Sequence, residues 1–439
     1  MSLQPGPQTI QAAELLKSCL PPGWSTIRLK YLLAAPVTDG PHTTPEFLFE
    51  GLPFLSVDGI QDGELVFEDC RYVSEEDHRE FRKKTDPRRD DILLGKAAST
   101  GKIARVKVDT EFSIWSPLAL IRPDKRKVLS SFLEYGLKSP MLQSQIDDLC
   151  TSNTQKNISM ADIPRLVLPL PDLDRQRQVA DFLDRETSRI DVLISEKERM
   201  VALLEEKRAA LISRVVIGGL VPEVTLKPSA ETWLGEVPGH WRVVRAKAIF
   251  REIDVRSATG EETLLSLRLG KGLVPHHDVS DKPLEASDVV GFKKVEVGQM
   301  VINRMRAASG LIAVADQAGL VSPDYAVFEI LGRDLCIEYF LELFKTPLLQ
   351  AVFRSASKGL GTGEQGFLRL YTDAFLALHF PYPPESEQRA IAEFIQRERT
   401  ELQATEALLR RSIELAKERR AALISAAVTG QIPPDEMAV

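Results

Sequence analysis

The chain contains an internal duplication, and this repeat restricts the possible folds more strongly than any single motif does. The segment PLPDLDRQRQVADFLDRE (Pro169 to Glu186) matches PYPPESEQRAIAEFIQRE (Pro381 to Glu398) at an offset of 212 residues, counted from position 169 to position 381. KRAALIS from Lys207 and RRAALIS from Arg419 keep the same offset. We therefore expect two related halves rather than one large domain.

Other segments of the two halves correspond more loosely, as expected if the working surfaces of two related domains have diverged. These pairs are LPPGW, ending at Trp24, with EVPGHW, ending at Trp241; DILLGKAASTGKIARV, from Asp91, with QMVINRMRAASGLIAV, from Gln299; and LKSPMLQS, from Leu137, with FKTPLLQA, from Phe344. The duplication thus covers nearly the whole chain.

The pattern in each half predicts a mixed α and β domain, and hence an α+β fold. In the first half, the runs LPFLSV, ELVFEDCRYV and IARVKV are separated by Gly, Pro and Asp, which is typical of short strands joined by turns. A helix is expected near residues 130–149. The second half repeats this order, with strands near 263–269, 300–302 and 311–314 and a helix near 335–353.

Each half ends in a long amphipathic segment with heptad spacing, which predicts two helices that pair as an antiparallel coiled coil. At about 1.5 Å per residue, roughly forty residues would extend about 60 Å, more than the width of a small domain. The alternative is that each helix packs only on its own domain. The expected pairing residues are Val179, Leu183, Ile190, Leu193, Leu204 and Leu211 in the first helix, and Ile391, Ile395, Leu402, Leu409 and Leu423 in the second.

The repeat also sets the expected domain boundaries, with an internal pseudo-twofold relation between the halves. We expect an N-terminal segment (1–24), a first domain (25–168), a first helical spacer (169–222), a second domain (223–380) and a second helical spacer (381–439).

Composition is typical of a cytoplasmic globular protein. The 439 residues are 44% hydrophobic and 27% charged, no apolar run approaches membrane-spanning length, and MSLQPGPQTIQ lacks the features of a secretion signal. The four cysteines include no CxxC pair, which argues against a zinc ribbon or a disulfide framework. The net charge is −7, so any DNA-binding surface must be local or completed by partners.

Motifs for chemistry are weak, and we expect no catalytic, metal or cofactor site in this chain. A GxGxxG string at Gly361, Gly363 and Gly366 follows an expected helix instead of a strand, which does not favour a dinucleotide site. GKAASTGK, from Gly95, has its glycines too far apart for a phosphate loop. The histidines are scattered, and no acid pair with Glu-x-Lys suggests a nuclease.

Basic and amide residues on loops are the candidates for DNA contact, because Arg and Lys can bond guanine edges while Asn and Gln pair with adenine. For the basic cluster the alternative is a solvated face, and for the polar loops ordinary turn chemistry. The candidates are Arg82, Lys83 and Lys84 in a basic cluster; Lys96, Ser99, Thr100 and Lys102 after one expected strand; Asn303, Arg304 and Arg306 after the matching strand; and Gln155, Lys156 and Gln365 in two corresponding polar loops.

The duplicated features resemble those of the specificity subunits of type I restriction-modification systems. The resemblance rests on the repeated Pro-x-Pro and Gln-Arg segments, the KRAALIS-like helix ends, and INRMRAASGLIAVADQAGLVSPDYAVF from Ile302. It implies two target recognition domains that each read one half of a bipartite double-stranded DNA site, with paired helices that fix the gap. It also implies two methyltransferase subunits, which hold the S-adenosylmethionine, and restriction subunits recruited to the complex.

Two other classes of function remain open from the sequence. One is an enzyme, a methyltransferase or nuclease with fused recognition domains, which would need a cofactor or metal motif. The other is a coiled-coil scaffold that joins partners without touching DNA.

The expected spacer role of the helices gives a first prediction. Inserting one heptad after Ala202 is expected to lengthen the gap in the recognised sequence while both half-sites stay the same, because a longer helix separates the two readers further. Mapping the methylated sequence of the variant complex measures the gap. An unaltered gap would show that the helices do not set this distance.

Overall fold

The computed structural model describes residues 20–150, 156–280, 284–332, 334–360 and 367–437. The described residues form two compact units. One combines the residues before Arg199 with those after Leu409, and the other is Arg199–Leu409. Each unit therefore contains part of both long helices.

The first unit supplies the first eleven strands and three short helices. The strands are β1 (Ser25–Arg28), β2 (Thr38–Asp39), β3 (Leu52–Leu55), β4 (Ile60–Gln61), β5 (Glu64–Leu65), β6 (Arg71–Val73), β7 (Ile92–Gly95), β8 (Ile103–Arg105), β9 (Ser113–Ile114), β10 (Leu118–Ile121) and β11 (Val167–Leu170). The helices are α1 (Glu75–Arg82), α2 (Ser130–Lys138) and α3 (Pro140–Asp148), and the long helix α4 (Leu173–Gly218) follows.

The second unit continues the numbering. Its strands are β12 (Leu226–Pro228), β13 (Glu236–Pro238), β14 (Arg242–Arg245), β15 (Phe250–Ile253), β16 (Leu265–Arg268), β17 (Gly272–Pro275), β18 (Lys293–Val295), β19 (Met300–Asn303), β20 (Ile312–Val314), β21 (Gly319–Val321), β22 (Tyr325–Ile330), β23 (Lys358–Leu360), β24 (Phe367–Arg369) and β25 (His379–Tyr382). Its helices are α5 (Ile337–Lys345), α6 (Pro347–Ala356) and α7 (Thr372–Ala377); the long helix α8 (Glu385–Val428) and the short α9 (Pro434–Met437) follow.

Both units are built on a four-stranded antiparallel sheet with the same strand order. The order is β2-β10-β7-β8 in the first unit and β15-β22-β19-β20 in the second. Along β7, Ile92 and Leu94 enter one core while Leu93 enters another, because successive side chains of a strand point to opposite faces. Burial on both faces explains why these strands are continuous apolar runs.

One sequence expectation was wrong in the same way in both halves. The single helices expected near 130–149 and 335–353 are pairs of helices, divided at Ser139-Pro140 and Thr346-Pro347. Proline disfavours a helical conformation in the residue before it, but it suits the first position of a new helix. Ser139 and Thr346 cap these new helices with their side chains.

The core of each unit takes residues from both long helices. In the first unit, Ile424 and Val428 of α8 join Val179 and Leu183 of α4. In the second unit, Val215 and Val216 at the end of α4 lie in the same core as Ile391 and Ile395. Each sheet is therefore covered by the start of one long helix and the end of the other.

The long helices run antiparallel where ion pairs join them in the first unit. Arg420 Nε lies 2.8 Å from Asp191 Oδ1, and Lys417 Nζ lies 4.0 Å from Glu198 Oε1. Residue numbers therefore rise along one helix where they fall along the other. The fold-class prediction, mixed α+β domains with a long helix pair, is confirmed.

One predicted pairing residue, Leu193, was wrong, because the protected face of α4 there lies one position further along the chain. Leu193 is 44% exposed, and the protected positions next to Ile190 are Thr187, Ile194 and Val201. The other predicted residues of the first helix are buried or half-buried: Val179, Leu183, Ile190, Leu204 and Leu211. The same holds in the second helix for Ile391, Ile395, Leu402, Leu409 and Leu423.

A buried glutamine explains part of the closely repeated helix-start segment. Gln176 accepts a hydrogen bond from the Leu129 amide at 2.8 Å, and Gln388 accepts one from the Cys336 amide at 2.8 Å. Leu129 and Cys336 directly precede α2 and α5, whose first amides have no partner within the helix. Each glutamine also donates to the chain just before its own helix.

The tryptophans of the two PGW-like segments contact the ends of the long helices. A Cβ added to Gly430 would lie 2.6 Å from Pro21 and 2.9 Å from Trp24, and φ at this glycine is +73°. A Cβ added to Gly219 (φ +78°) would lie 3.2 Å from Trp241. Both glycines thus allow a left-handed helix end and a close approach of the ring.

Replacing Gln388 with leucine is expected to lower the free energy of unfolding by about 1–3 kcal/mol, because the buried Cys336 amide and Pro383 carbonyl would lose their partner. Chemical denaturation measures the change. The matched control is Gln178→Leu on the exposed face of α4, expected to stay within about 0.5 kcal/mol. Equal effects of the two substitutions would contradict a capping role for Gln388.

Candidate nucleic-acid interface

The turns that follow β7 and β19 lie at equivalent places in the two sheets. β7 pairs with β8, and β19 pairs with β20, each at one edge of a sheet of the same strand order. The first turn carries Lys96, Ser99, Thr100 and Lys102, and the second carries Arg304 and Arg306 directly after Asn303. The candidate residues therefore occupy the matching positions that the sequence indicated.

Lys96 in the first turn is held by a buried carboxylate. Its Nζ lies 2.8 Å from Asp39 Oδ2, and its side chain is only 13% exposed. Lys84 bonds the other oxygen of Asp39. Burial alone would raise the pKa of Asp39, but the hydrogen bonds and charges of Lys84 and Lys96 hold that pKa below its ordinary value. Asp39 therefore neutralises much of the positive charge that these two lysines bring.

A second predicted segment lies against this turn. The Ile158 amide donates to the Lys96 carbonyl at 3.0 Å, and Thr100 Oγ1 donates to the Lys156 carbonyl at 2.6 Å. Lys156 Nζ is exposed and bonds Asp147 at 2.8 Å. The structure thus brings Lys96, Thr100 and Lys156 together, while Gln155 lies outside the described residues.

Lys102 connects this turn to a neighbouring hairpin. Its Nζ donates to the Ile60 carbonyl at 2.8 Å, at the base of the β4–β5 hairpin. The turn is not a phosphate loop, because it joins two antiparallel strands instead of a strand and a helix.

Arg304 in the second turn holds the backbone of its own unit. Its Nε donates to the Asp324 carbonyl at 2.8 Å and its Nη2 to the Pro323 carbonyl at 3.0 Å. Burial lowers the pKa of Arg304, and the nearby positive charge of Arg369 lowers it further. Two of its five N–H donors are therefore used in positioning the turn before β22.

Arg306 lines a cleft of about 400 Å³ that the sequence did not indicate. The lining includes two arginines, an amide, a phenol and an exposed leucine, and the residues are Leu267, Arg268, Leu269, Asn303, Arg306, Ser309, Leu311 and Tyr325. Burial raises the pKa of Tyr325, although Arg268 and Arg306 act in the opposite direction. Within the described ranges, neither arginine side chain has an ion-pair or hydrogen-bond partner.

The sequence analysis missed Arg268, the last residue of β16, and Leu269, the first residue of the turn to β17. The string RLGKG carried the signal, since two glycines around one lysine predict a tight turn that exposes its neighbours. Gly270 and Gly272 both have positive φ, as such a turn requires.

Gln365 and the GxGxxG glycines lie outside the described residues. The flanking strands β23 and β24 pair antiparallel, which is the pattern of a hairpin. The prediction that the string directly follows a helix was wrong, since β23 ends at Leu360. The element after the string is the strand β24, whereas a dinucleotide fold would place a helix there.

The basic cluster of the first unit is largely neutralised. Arg82 forms ion pairs with Asp86 and Glu111, and Lys83 forms one with Glu80. Arg88 and Arg89 also contact carboxylates. These residues present less net positive charge than their run in the sequence suggests.

The described residues were also compared with the requirements of a metal site and of a membrane-spanning helix. Across the described ranges, no three His, Cys, Asp or Glu side chains are grouped so that they could hold a metal ion. No helix in those ranges is both long and apolar enough to cross a membrane.

Comparison with known proteins finds similarity to one family. A family model described as the type I restriction modification DNA specificity domain matches residues 45–199. The Escherichia coli type I restriction enzyme EcoBI specificity subunit is 25% identical over 165 residues, which span 37% of this chain but only 35% of that protein. The EcoKI specificity subunit of Escherichia coli K12 is 21% identical over 365 residues, 79% of this chain and 75% of that protein.

Solved structures share the fold at low identity. A chain solved in work on complex assembly and conformational transition of the type I R-M system covers 94% of this chain with 99% of its own length, at a TM-score of 0.67 and 17% identity. The HsdS subunit from Thermoanaerobacter tengcongensis covers 94% with 98% of its length, at a TM-score of 0.50 and 18% identity. The family model over residues 45–199 and both relatives thus make this duplicated chain similar to the specificity subunits of type I restriction-modification systems.

Proposed function

We propose that this chain is the DNA-reading subunit of a type I restriction-modification complex, in which each unit recognises one half of a bipartite double-stranded site. The observation that carries the proposal is the repeated sheet with different residues on its equivalent turns. In the first unit, Lys156 lies against the turn that carries Lys96 and Thr100. In the second unit, Asn303 and Arg306 line the cleft beside the equivalent turn. Such residues can distinguish bases in the major groove, and a different set on each unit specifies a different half-site.

We further propose that the chemistry belongs to partner subunits. Two methyltransferase subunits would bind this chain, since the repeat offers an equivalent surface twice, and they would hold S-adenosylmethionine. Restriction subunits would join through them. Partner surfaces would also supply basic area that a chain of net charge −7 lacks.

A methyl-transfer assay separates this function from a fused enzyme. We expect no transfer to DNA when the isolated chain is incubated with labelled S-adenosylmethionine, and sequence-specific transfer once the methyltransferase encoded with it is added. Transfer by the isolated chain would overturn the non-catalytic assignment. Equal, weak binding of the complex to all duplexes in a mobility-shift assay would instead favour a scaffold.

Substituting one turn at a time tests whether the two units act on separate half-sites. Arg306→Ala is expected to weaken specific binding by about 1–3 kcal/mol and to relax one half-site only, because it removes an exposed guanidinium from one cleft. Lys156→Ala is expected to affect only the other half-site. Binding to duplexes with single base changes measures both effects.

The control for these variants is Arg251→Ala. Arg251 lies on β15, at the opposite edge of the sheet from β20, in an exposed ion pair with Glu329. Its substitution is expected to leave the recognised sequence unchanged. If Arg306→Ala and Lys156→Ala relaxed the same half-site, independent reading by the two units would be contradicted.

A further inference from the structure

Each unit carries a short hairpin beside the turn of its main sheet. In the first unit, β4 and β5 pair through Ile60 with Leu65 and Gln61 with Glu64. In the second unit, β16 and β17 end in the pair of Arg268 with Gly272. Gln61 and Arg268 thus occupy the same place, the last paired residue before the hairpin turn.

The two hairpins pack against equivalent edge strands, β5 against β8 and β17 against β20. Lys102 Nζ donates to the Ile60 carbonyl at 2.8 Å, and Lys138 Nζ donates to the Gly63 carbonyl at 3.0 Å. In the second unit, a Cβ added to Gly272 would lie 3.9 Å from Cβ of Ala313 on β20. The backbone frame is shared, whereas the side chain at the tip changes from a neutral amide to a guanidinium.

The second hairpin tip faces a polar wall across the cleft. The hairpin contributes Arg268 and Leu269 to the lining, while the main sheet and its turn contribute Asn303, Arg306 and Tyr325. Leu269 is 71% exposed, so its apolar side chain is accessible beside the two arginines. No carboxylate neutralises either arginine within the part of the chain that the structure describes, in contrast to Lys96 and Arg82.

Resting on the proposed function, we infer that Arg268 is a specificity-determining residue of the second unit and contacts a guanine in its half-site. The guanidinium fork can donate two hydrogen bonds to the O6 and N7 atoms of guanine in the major groove. Arg306 lies in the same cleft and supplies a second cation at the same half-site. Leu269 offers an apolar surface beside them, the type of contact that a thymine methyl group accepts.

Base recognition fits this residue better than simple attraction to phosphate. Arg268 is paired with Gly272 in the hairpin ladder, so its backbone is held in the sheet while its side chain lines the cleft. The turn also carries Lys271, an exposed cation that does not line the cleft. Lys271 therefore serves as an internal comparison for a charge without the cleft geometry.

The test uses the complex of the full chain with the methyltransferase encoded with it, bound to duplexes drawn from a randomised pool. Sequencing of the bound fraction defines the recognised site for the wild type and for Arg268→Ala, Arg268→Lys and Lys271→Ala. We expect both Arg268 variants to lose preference for one guanine, with a roughly 5- to 150-fold loss of affinity for the wild-type site. Lysine keeps the charge but lacks the planar fork.

Three outcomes decide the inference. Loss of one guanine preference in both Arg268 variants, with the sequence unchanged in Lys271→Ala, supports it. A uniform loss of affinity over all duplexes in Arg268→Ala, restored by lysine, would mean a phosphate contact and overturn it. An unchanged site and affinity in Arg268→Ala would also overturn it, with thermal denaturation confirming that the variants are folded.

These outcomes are separable from failure of the proposed function. If the wild-type complex selected no sequence from the pool, the proposed function itself would fail. If the wild type selected a bipartite sequence and the Arg268 variants selected the same one, only the role of Arg268 would fail.

Discussion

The burial of each sheet under two helix ends is the interaction on which the rest of the structure depends. The first core needs Ile424 and Val428 from α8, and the second needs Val215 and Val216 from α4. Burying one such side chain contributes about 1.5–3 kcal/mol, so removing a helix end would expose a substantial part of a core. The fold of each globular half therefore depends on a helix that starts in the other half.

This dependence explains why the helix segments are copied so closely while the turns differ. Gln176 and Gln388 satisfy buried amides before α2 and α5, and a substitution would leave those amides without a partner. Gly430 lies so close to Trp24 that any side chain would collide with the ring. Arg306 and Leu269 meet solvent and carry no comparable packing constraint, so on the proposed function they are able to vary with the recognised sequence.

The sequence predicted the duplication, the mixed domains and the long helices, because repeat offsets and heptads are local properties of the chain. The predictions failed where the exact buried face of a helix or a partner distant in sequence determines the role of a residue. Thr187 belongs to the protected face of α4, but it is polar, and the apolar spacing pointed to Leu193 instead. The partner of Lys96 is Asp39, far away in sequence, so its neutralisation was not visible before folding. Arg268 was missed for a related reason: only the folded hairpin places it opposite Arg306.

The two units differ in how many of their cationic side chains are paired with carboxylates, and this difference concerns both affinity and specificity for DNA. Phosphate contacts supply most non-specific affinity for DNA, and they require cations that are not already neutralised. In the first unit, carboxylates hold Lys96, Arg82 and Lys83, whereas Arg268 and Arg306 stand in the cleft of the second. On the proposed function, a few side chains in fixed positions discriminate between bases, and the partner subunits supply the general attraction to the duplex. Weak binding by the isolated chain would then benefit selectivity, since stable association with DNA would require both the correct half-sites and the assembled complex.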